Sequence, residues 1–181
     1  MAANNDTQAA YQPPPPDPEL QRLSPLIGTW QAKDHTQASV LGPGVTVEST
    51  ETYRWLDGGY FLISTYVTLF GNEPAQTGVM YWGYDTKTGQ FHNRFFSNNG
   101  PYEKAGNEYV GVVADGKLTF TGPARFQYEL DTGGKIRVNR DGTLTVTWWL
   151  RDSAEAWQPW MTNTFAQIKQ GSLWLKGASN E

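Results

Sequence analysis

Between Val45 and Phe70 apolar and polar residues alternate, and the alternation is interrupted at Asp57-Gly58-Gly59. Alternation with period two predicts strands that show opposite faces to core and solvent. Asp-Gly between two such runs predicts a hairpin. The expectation is two long antiparallel strands, Val45–Leu56 and Tyr60–Phe70. A turn on Asp57-Gly58 or on Gly58-Gly59 gives the same facing: odd positions of the first strand share a face with even positions of the second. One face carries Ser49, Glu51, Tyr53, Trp55, Tyr60, Leu62, Ser64 and Tyr66. The other carries Glu48, Thr50, Thr52, Arg54, Phe61, Ile63, Thr65, Val67 and Leu69. The first is aromatic with a few hydroxyls and one carboxylate, which is how ligand cavities are lined; it is taken as the interior. The second is also apolar, so the reverse assignment, with Glu51 in water, is the alternative.

The rest of the chain repeats the theme. Asp17-Pro18-Glu19 has a capping Asp, Pro at the first helical position and an acid in the first turn, which predicts a short helix ending before Pro25. Its Leu20 and Leu23 are expected to plug one end of a sheet structure. Strands follow at Leu26 to about Thr36, Thr77–Tyr84, Gln90–Ser97, Glu108–Ala114, Lys117–Thr121, Thr143–Leu150 and Met161–Gln170. Arg125–Leu130 and Lys135–Asn139 read as one broken strand. Asp115-Gly116 is a two-residue hairpin, and the loop after Asp85 has four residues. A three-residue loop at Arg140-Asp141-Gly142 sets Val138 beside Leu144 and Ile136 beside Val146. About ten strands joined by short turns predict an all-β fold, an antiparallel up-and-down barrel or a sandwich, with the barrel leaving no free edge. Residues 17–170 form this domain. Residues 1–16 are expected to be a disordered Pro-rich arm, and 171–181 a C-terminal tail.

Composition narrows the function. The net charge is −4 and no Lys/Arg cluster occurs, which argues against a nucleic-acid partner. No apolar run reaches membrane-spanning length. The absence of cysteine removes disulfides, thiolate catalysis and Cys-ligated metals. With no signal-peptide pattern at the start, a cytoplasmic location is expected; a mature exported chain given a new Met would look the same.

Leu26-Ile27-Gly28-Thr29-Trp30 after a Leu-bearing helix resembles the Gly-x-Trp first strand of the calycins, which include lipocalins, fatty-acid-binding proteins and nitrobindins. Tyr53-Arg54-Trp55-Leu56-Asp57-Gly58-Gly59-Tyr60-Phe61-Leu62, Gly83-Tyr84-Asp85, Phe95-Phe96-Ser97-Asn98-Asn99-Gly100 and Leu118-Thr119-Phe120-Thr121-Gly122-Pro123 together resemble a bacterial lipocalin-like family of uncharacterised domains. The resemblance spans roughly residues 20–170 and implies a ten-stranded lipocalin-like barrel. Nitrobindins hold haem through a late His; this chain has only His35 and His92, so no cofactor is expected.

The candidate chemistry centres on Glu51, placed between Ser49 and Tyr53 and across from Ser64 or Leu62. A carboxylate in the lumen is desolvated, its pKa rises, and it can act as general acid or base. The alternative role is a hydrogen-bonded structural carboxylate. The candidate ligand-binding residues are Ser49, Tyr53, Tyr60, Ser64, Tyr66, Met80, Trp82, Asn93, Phe95 and Trp148. The outward pair His92 and Arg94 is a second polar candidate. Two histidines without a Glu-x-x-His pattern predict no metal site. Trp157 and Trp160 flank Pro159 in a loop that could cap the barrel mouth. The expected partner is a small apolar or aromatic molecule, with a cyclase-, isomerase- or lyase-type enzyme using Glu51 as the alternative. The outward row Phe61, Ile63, Val67, Leu69 predicts a homodimer, since monomers rarely expose such a stripe.

Overall fold

The computed structural model describes residues 12–98, 107–125, 129–152 and 156–168. Ten antiparallel strands close into one barrel: β1 (Gly28–His35), β2 (Thr46–Trp55), β3 (Leu62–Phe70), β4 (Gln76–Asp85), β5 (Gln90–Ser97), β6 (Asn107–Ala114), β7 (Lys117–Arg125), β8 (Glu129–Val138), β9 (Leu144–Asp152) and β10 (Gln158–Ile168). Each pairs with its sequence neighbours, and β10 closes on β1. Closure leaves no strand edge for another chain to extend. The expected arm falls partly, and the expected tail wholly, outside the described residues.

The N-terminal helix is a 3-10 helix, Pro18–Leu26, and it runs through Pro25 instead of ending before it. Pro25 lacks the N–H that an α-helix would need there, whereas the i→i+3 bonds Leu20 N→Asp17 O and Ile27 N→Ser24 O, both 3.1 Å, avoid it. Asp17 caps the start by accepting from Glu19 N at 2.9 Å. Leu20, Leu23 and Leu26 are buried, and Arg22 ties the helix to the end of β6 through Val113 O at 2.6 Å. The plug fills one end of the barrel. Trp30 lies against it, buried, its indole donating to Leu26 O at 2.8 Å.

The facing expected for β2 and β3 holds. Ser49, Tyr53, Ser64 and Tyr66 point inward and are buried, while Phe61, Val67 and Leu69 are exposed outside. The turn differs. Residues 56–61 form a loop closed by Leu56 N→Phe61 O at 2.9 Å, so the register sets Glu51 opposite Tyr66, not Ser64 or Leu62. Ile63 departs from its row: it faces outward between Arg54 and Tyr81, yet it is only 5% exposed. Met80, Trp82 and Tyr84 pair with Phe95, Asn93 and Phe91 as the four-residue loop requires. Val138 pairs with Leu144 and Ile136 with Val146. The broken-strand reading of 125–139 is corrected: Arg125 ends β7, and Glu129–Val138 is one strand crossing Gly133-Gly134. A Cβ on Gly134 would lie 2.2 Å from Phe120 Cζ. That glycine pair therefore marks the close approach of an aromatic ring, not a strand break. β10 begins at Gln158, which puts Trp160 in the strand, beside a register shift between Pro159 and Met161.

Candidate functional site

Strand alternation sends a dense aromatic set into the barrel. Phe120 takes Trp82, Tyr109 and Trp148 edge-on, with ring centroids 5.4, 5.6 and 5.3 Å away. Edge-to-face contacts of this kind match the positive ring edge to the negative face. Together with the helix leucines this cluster fills the plugged half. Above it, away from the helix, a cavity of about 90 Å³ stays open. Its floor includes Phe95, Tyr109 and Trp148, and its wall includes Tyr66, Met80, Met161 and Phe165. Tyr66 stacks on Phe95 with ring planes 17° apart and centroids 5.6 Å apart. Gly78, opposite Tyr66, leaves room for that phenol, since a Cβ there would lie 2.6 Å from its oxygen. At the mouth, Phe70 from the end of β3 stacks on Trp160 from β10, 6.0 Å between centroids.

The polar groups are few. Glu51 sits on β2 between Trp30 of β1 and Tyr66 of β3. It keeps part of its surface open to the cavity. Tyr53 donates to Glu51 Oε2 at 2.6 Å. Burial raises the Glu51 pKa, and the Tyr53 hydrogen bond opposes that rise without cancelling it. Tyr53 is itself pushed well above the ordinary phenol range, first by burial and then by the Glu51 charge, so its hydroxyl stays protonated and able to donate. Ser49 and Thr68 share a hydrogen bond of 2.7 Å. Asn163 reaches the cavity from β10, is 3% exposed, and its Oδ1 has no hydrogen-bond partner among the described residues.

Of the residues singled out from the sequence, Ser49, Glu51, Tyr66, Met80, Phe95 and Trp148 line the cavity together. Tyr53, Ser64, Trp82 and Asn93 point inward but lie buried outside its lining. Tyr60 is a correction. The wider turn takes it out of the strand, and its hydroxyl donates to Pro14 O of the N-terminal segment. His92 and Arg94 lie outside the barrel, opposite Gly83 and Tyr81. Glu108 joins them, 3.1 Å from His92 Nδ1 and 2.9 Å from Arg94 Nη2. Thr68, Phe70, Gln76, Tyr109, Met161, Asn163 and Phe165 also line the cavity and were not singled out. Thr68 and Phe70 were open to the same parity rule as Tyr66. Met161, Asn163 and Phe165 alternate along β10, but no turn beside them announces their facing. Trp160 caps the mouth as its loop reading suggested, whereas Trp157 lies outside with Arg151 4.6 Å over its ring.

No group of three or more His, Cys, Asp or Glu able to hold a metal occurs among the described residues. The described lining has no imidazole, and about 90 Å³ is far too small for a porphyrin, so a nitrobindin-type haem does not fit.

No curated protein matches this chain. The crystal structure of Rv2717c from M. tuberculosis superposes with a TM-score of 0.58 at 18% sequence identity, covering 85% of this chain and 99% of that one. At that identity the likeness speaks for the fold alone, a closed antiparallel barrel. A family model described as "Protein of unknown function (DUF1579)" matches residues 15–166, a span that holds the helix plug, the barrel but for the last two residues of β10, and every cavity-lining residue, and the chain belongs to that family.

Proposed function

We propose that the chain binds a small, largely aromatic molecule in the barrel, through the open half opposite the helix. The observation that carries this reading is the cavity itself. Aromatic and sulfur-bearing walls enclose a carboxyl group, a hydroxyl pair and an amide, the pattern of orienting polar groups in an apolar site. A filled structural barrel would have no reason to keep a carboxyl group and an unpartnered amide oxygen beside open space, where their burial costs desolvation. The volume limits the ligand. An engineered cavity of roughly 150 Å³ holds benzene, so at about 90 Å³ one ring is the upper limit and enters only as the walls yield. The flexible Met80 and Met161 walls can yield to admit it.

Glu51 favours a second reading. A cavity-facing carboxyl group with a raised pKa and a tyrosine donor is equipped to exchange a proton with a bound molecule. An isomerase- or lyase-type reaction would use it as acid or base.

The test is titration with single-ring aromatics, read by intrinsic fluorescence, because Trp148 and Trp160 both border the cavity. A saturable change that is lost when both are replaced by Phe is expected. No saturable response across the panel would contradict the binding reading. Turnover of a bound compound that Glu51→Gln abolishes would move the assignment to the enzyme.

A further inference from the structure

The cavity is electrically one-sided. Among its described lining residues are one carboxyl group and no Lys, Arg or His. The remaining polar groups are neutral hydroxyls, amides and indole N–H groups. Asn163 Oδ1 is buried without a donor. The Ser49 and Thr68 hydroxyls satisfy each other. The Tyr53 hydroxyl is already committed to Glu51. Around these groups stand Tyr66, Phe95, Tyr109 and Trp148, whose ring faces carry negative charge density.

From this constellation we infer that the preferred ligand is a small organic cation, a protonated aryl-alkyl amine, whose ammonium group donates to Glu51 while its ring packs on the aromatic walls. The inference rests on the cavity being a ligand site and adds the charge and hydrogen-bonding class of its occupant. Its physical basis has three parts. A buried carboxylate is costly alone and is stabilised by an opposite charge in contact. Glu51 Oε1, the oxygen that Tyr53 does not donate to, accepts only from an N–H or O–H group. Aromatic faces attract a cation most strongly where water is excluded. Anionic ligands meet the opposite of all three. A neutral ring keeps the packing but leaves the Glu51 charge unpaired.

The experiment compares three near-isosteres by calorimetry at neutral pH: benzylammonium, benzyl alcohol and benzoate. With wild type, benzylammonium is expected to bind about tenfold or more tighter than benzyl alcohol, a difference of ~1.4 kcal/mol, and benzoate weakest. Glu51→Gln is expected to abolish the preference for the cation, with binding of benzyl alcohol showing that the cavity persists. Benzyl alcohol or benzoate binding wild type as tightly as benzylammonium overturns the cation inference and leaves the ligand site standing. A preference that survives in folded Glu51→Gln also overturns it. Binding of none of the three overturns both readings. The wild-type comparison decides the matter even if the variant does not fold.

Discussion

Glu51 is the one carboxyl group on the described cavity wall, and its ionisation is coupled to folding. In the unfolded chain its pKa is near the ordinary value of 4.5; in the fold, burial raises it and Tyr53 offsets part of the rise. Within the window from that ordinary value up to the raised one, the folded chain holds more proton than the unfolded chain. Stability contributed by this group therefore falls as pH rises through the window. Below it the acid is neutral in both states and there is no penalty; above it the penalty is complete. Glu51→Gln removes the term. Urea midpoints at pH 4 and pH 7.5 are expected to show the variant gaining on wild type as pH rises. Asp85 and Asp141, whose pKa values are lowered chiefly by backbone hydrogen bonds, shift stability the other way in both proteins and cancel in the comparison. Identical pH dependence in the two proteins would mean that Glu51 is hydrated. That this residue faces the lumen was legible from parity and from the aromatic company on its face. Its partner across β3 was not, because the register depended on how many residues the Asp57-Gly58-Gly59 turn consumed.

At the scale of elements, the barrel is held by strands whose inward positions trade volume across the lumen. Gly134 on β8 exists to admit the Phe120 ring from β7, and that ring anchors Trp82, Tyr109 and Trp148. Gly134→Ala is expected to destabilise by about 1–3 kcal/mol, the range for overpacking a filled core, seen as a lower urea midpoint at unchanged slope. A loss below ~0.5 kcal/mol would show the aromatic cluster to be loosely packed. This element also shows why one strand was misread. In sequence a Gly-Gly pair looks like punctuation; only the opposing ring, fourteen positions earlier, explains it. The hairpins with a defined loop were legible, since Asp85-to-Gly89, Asp115-Gly116 and Arg140-Asp141-Gly142 set strand pairing locally. The facing of β10 was not, because its register comes from β9 and β1, the latter more than a hundred residues away.

The whole molecule presents a cavity at one end, a plug at the other, and an apolar band outside. Phe61 just before β3, Val67 and Leu69 of β3 and Phe96 of β5 are exposed on that band, with outward Val79 of β4 paired to Phe96. We propose that a second copy of the chain covers it around a twofold axis, the commonest closed arrangement. Ile63 is already shielded, so Val67 is the position to alter: light scattering is expected to give a dimer for wild type and a folded monomer for Val67→Lys, and a monomeric wild type would contradict it. The closed ten-strand barrel was legible from turn spacing and alternation. The cavity was half legible, because side-chain parity tells which residues face inward but not where the inward residues stop filling the space. The central claim, that this space receives a ligand, is tested most directly by the methionines. The chain has three, Met1, Met80 and Met161, and the last two border the cavity. With methyl-labelled methionine, NMR titration with benzylammonium or another single-ring aromatic is expected to shift the Met80 and Met161 signals together, with one saturation curve, and to leave Met1 in place. Unmoved Met80 and Met161 signals at saturating concentrations of the whole panel would contradict it.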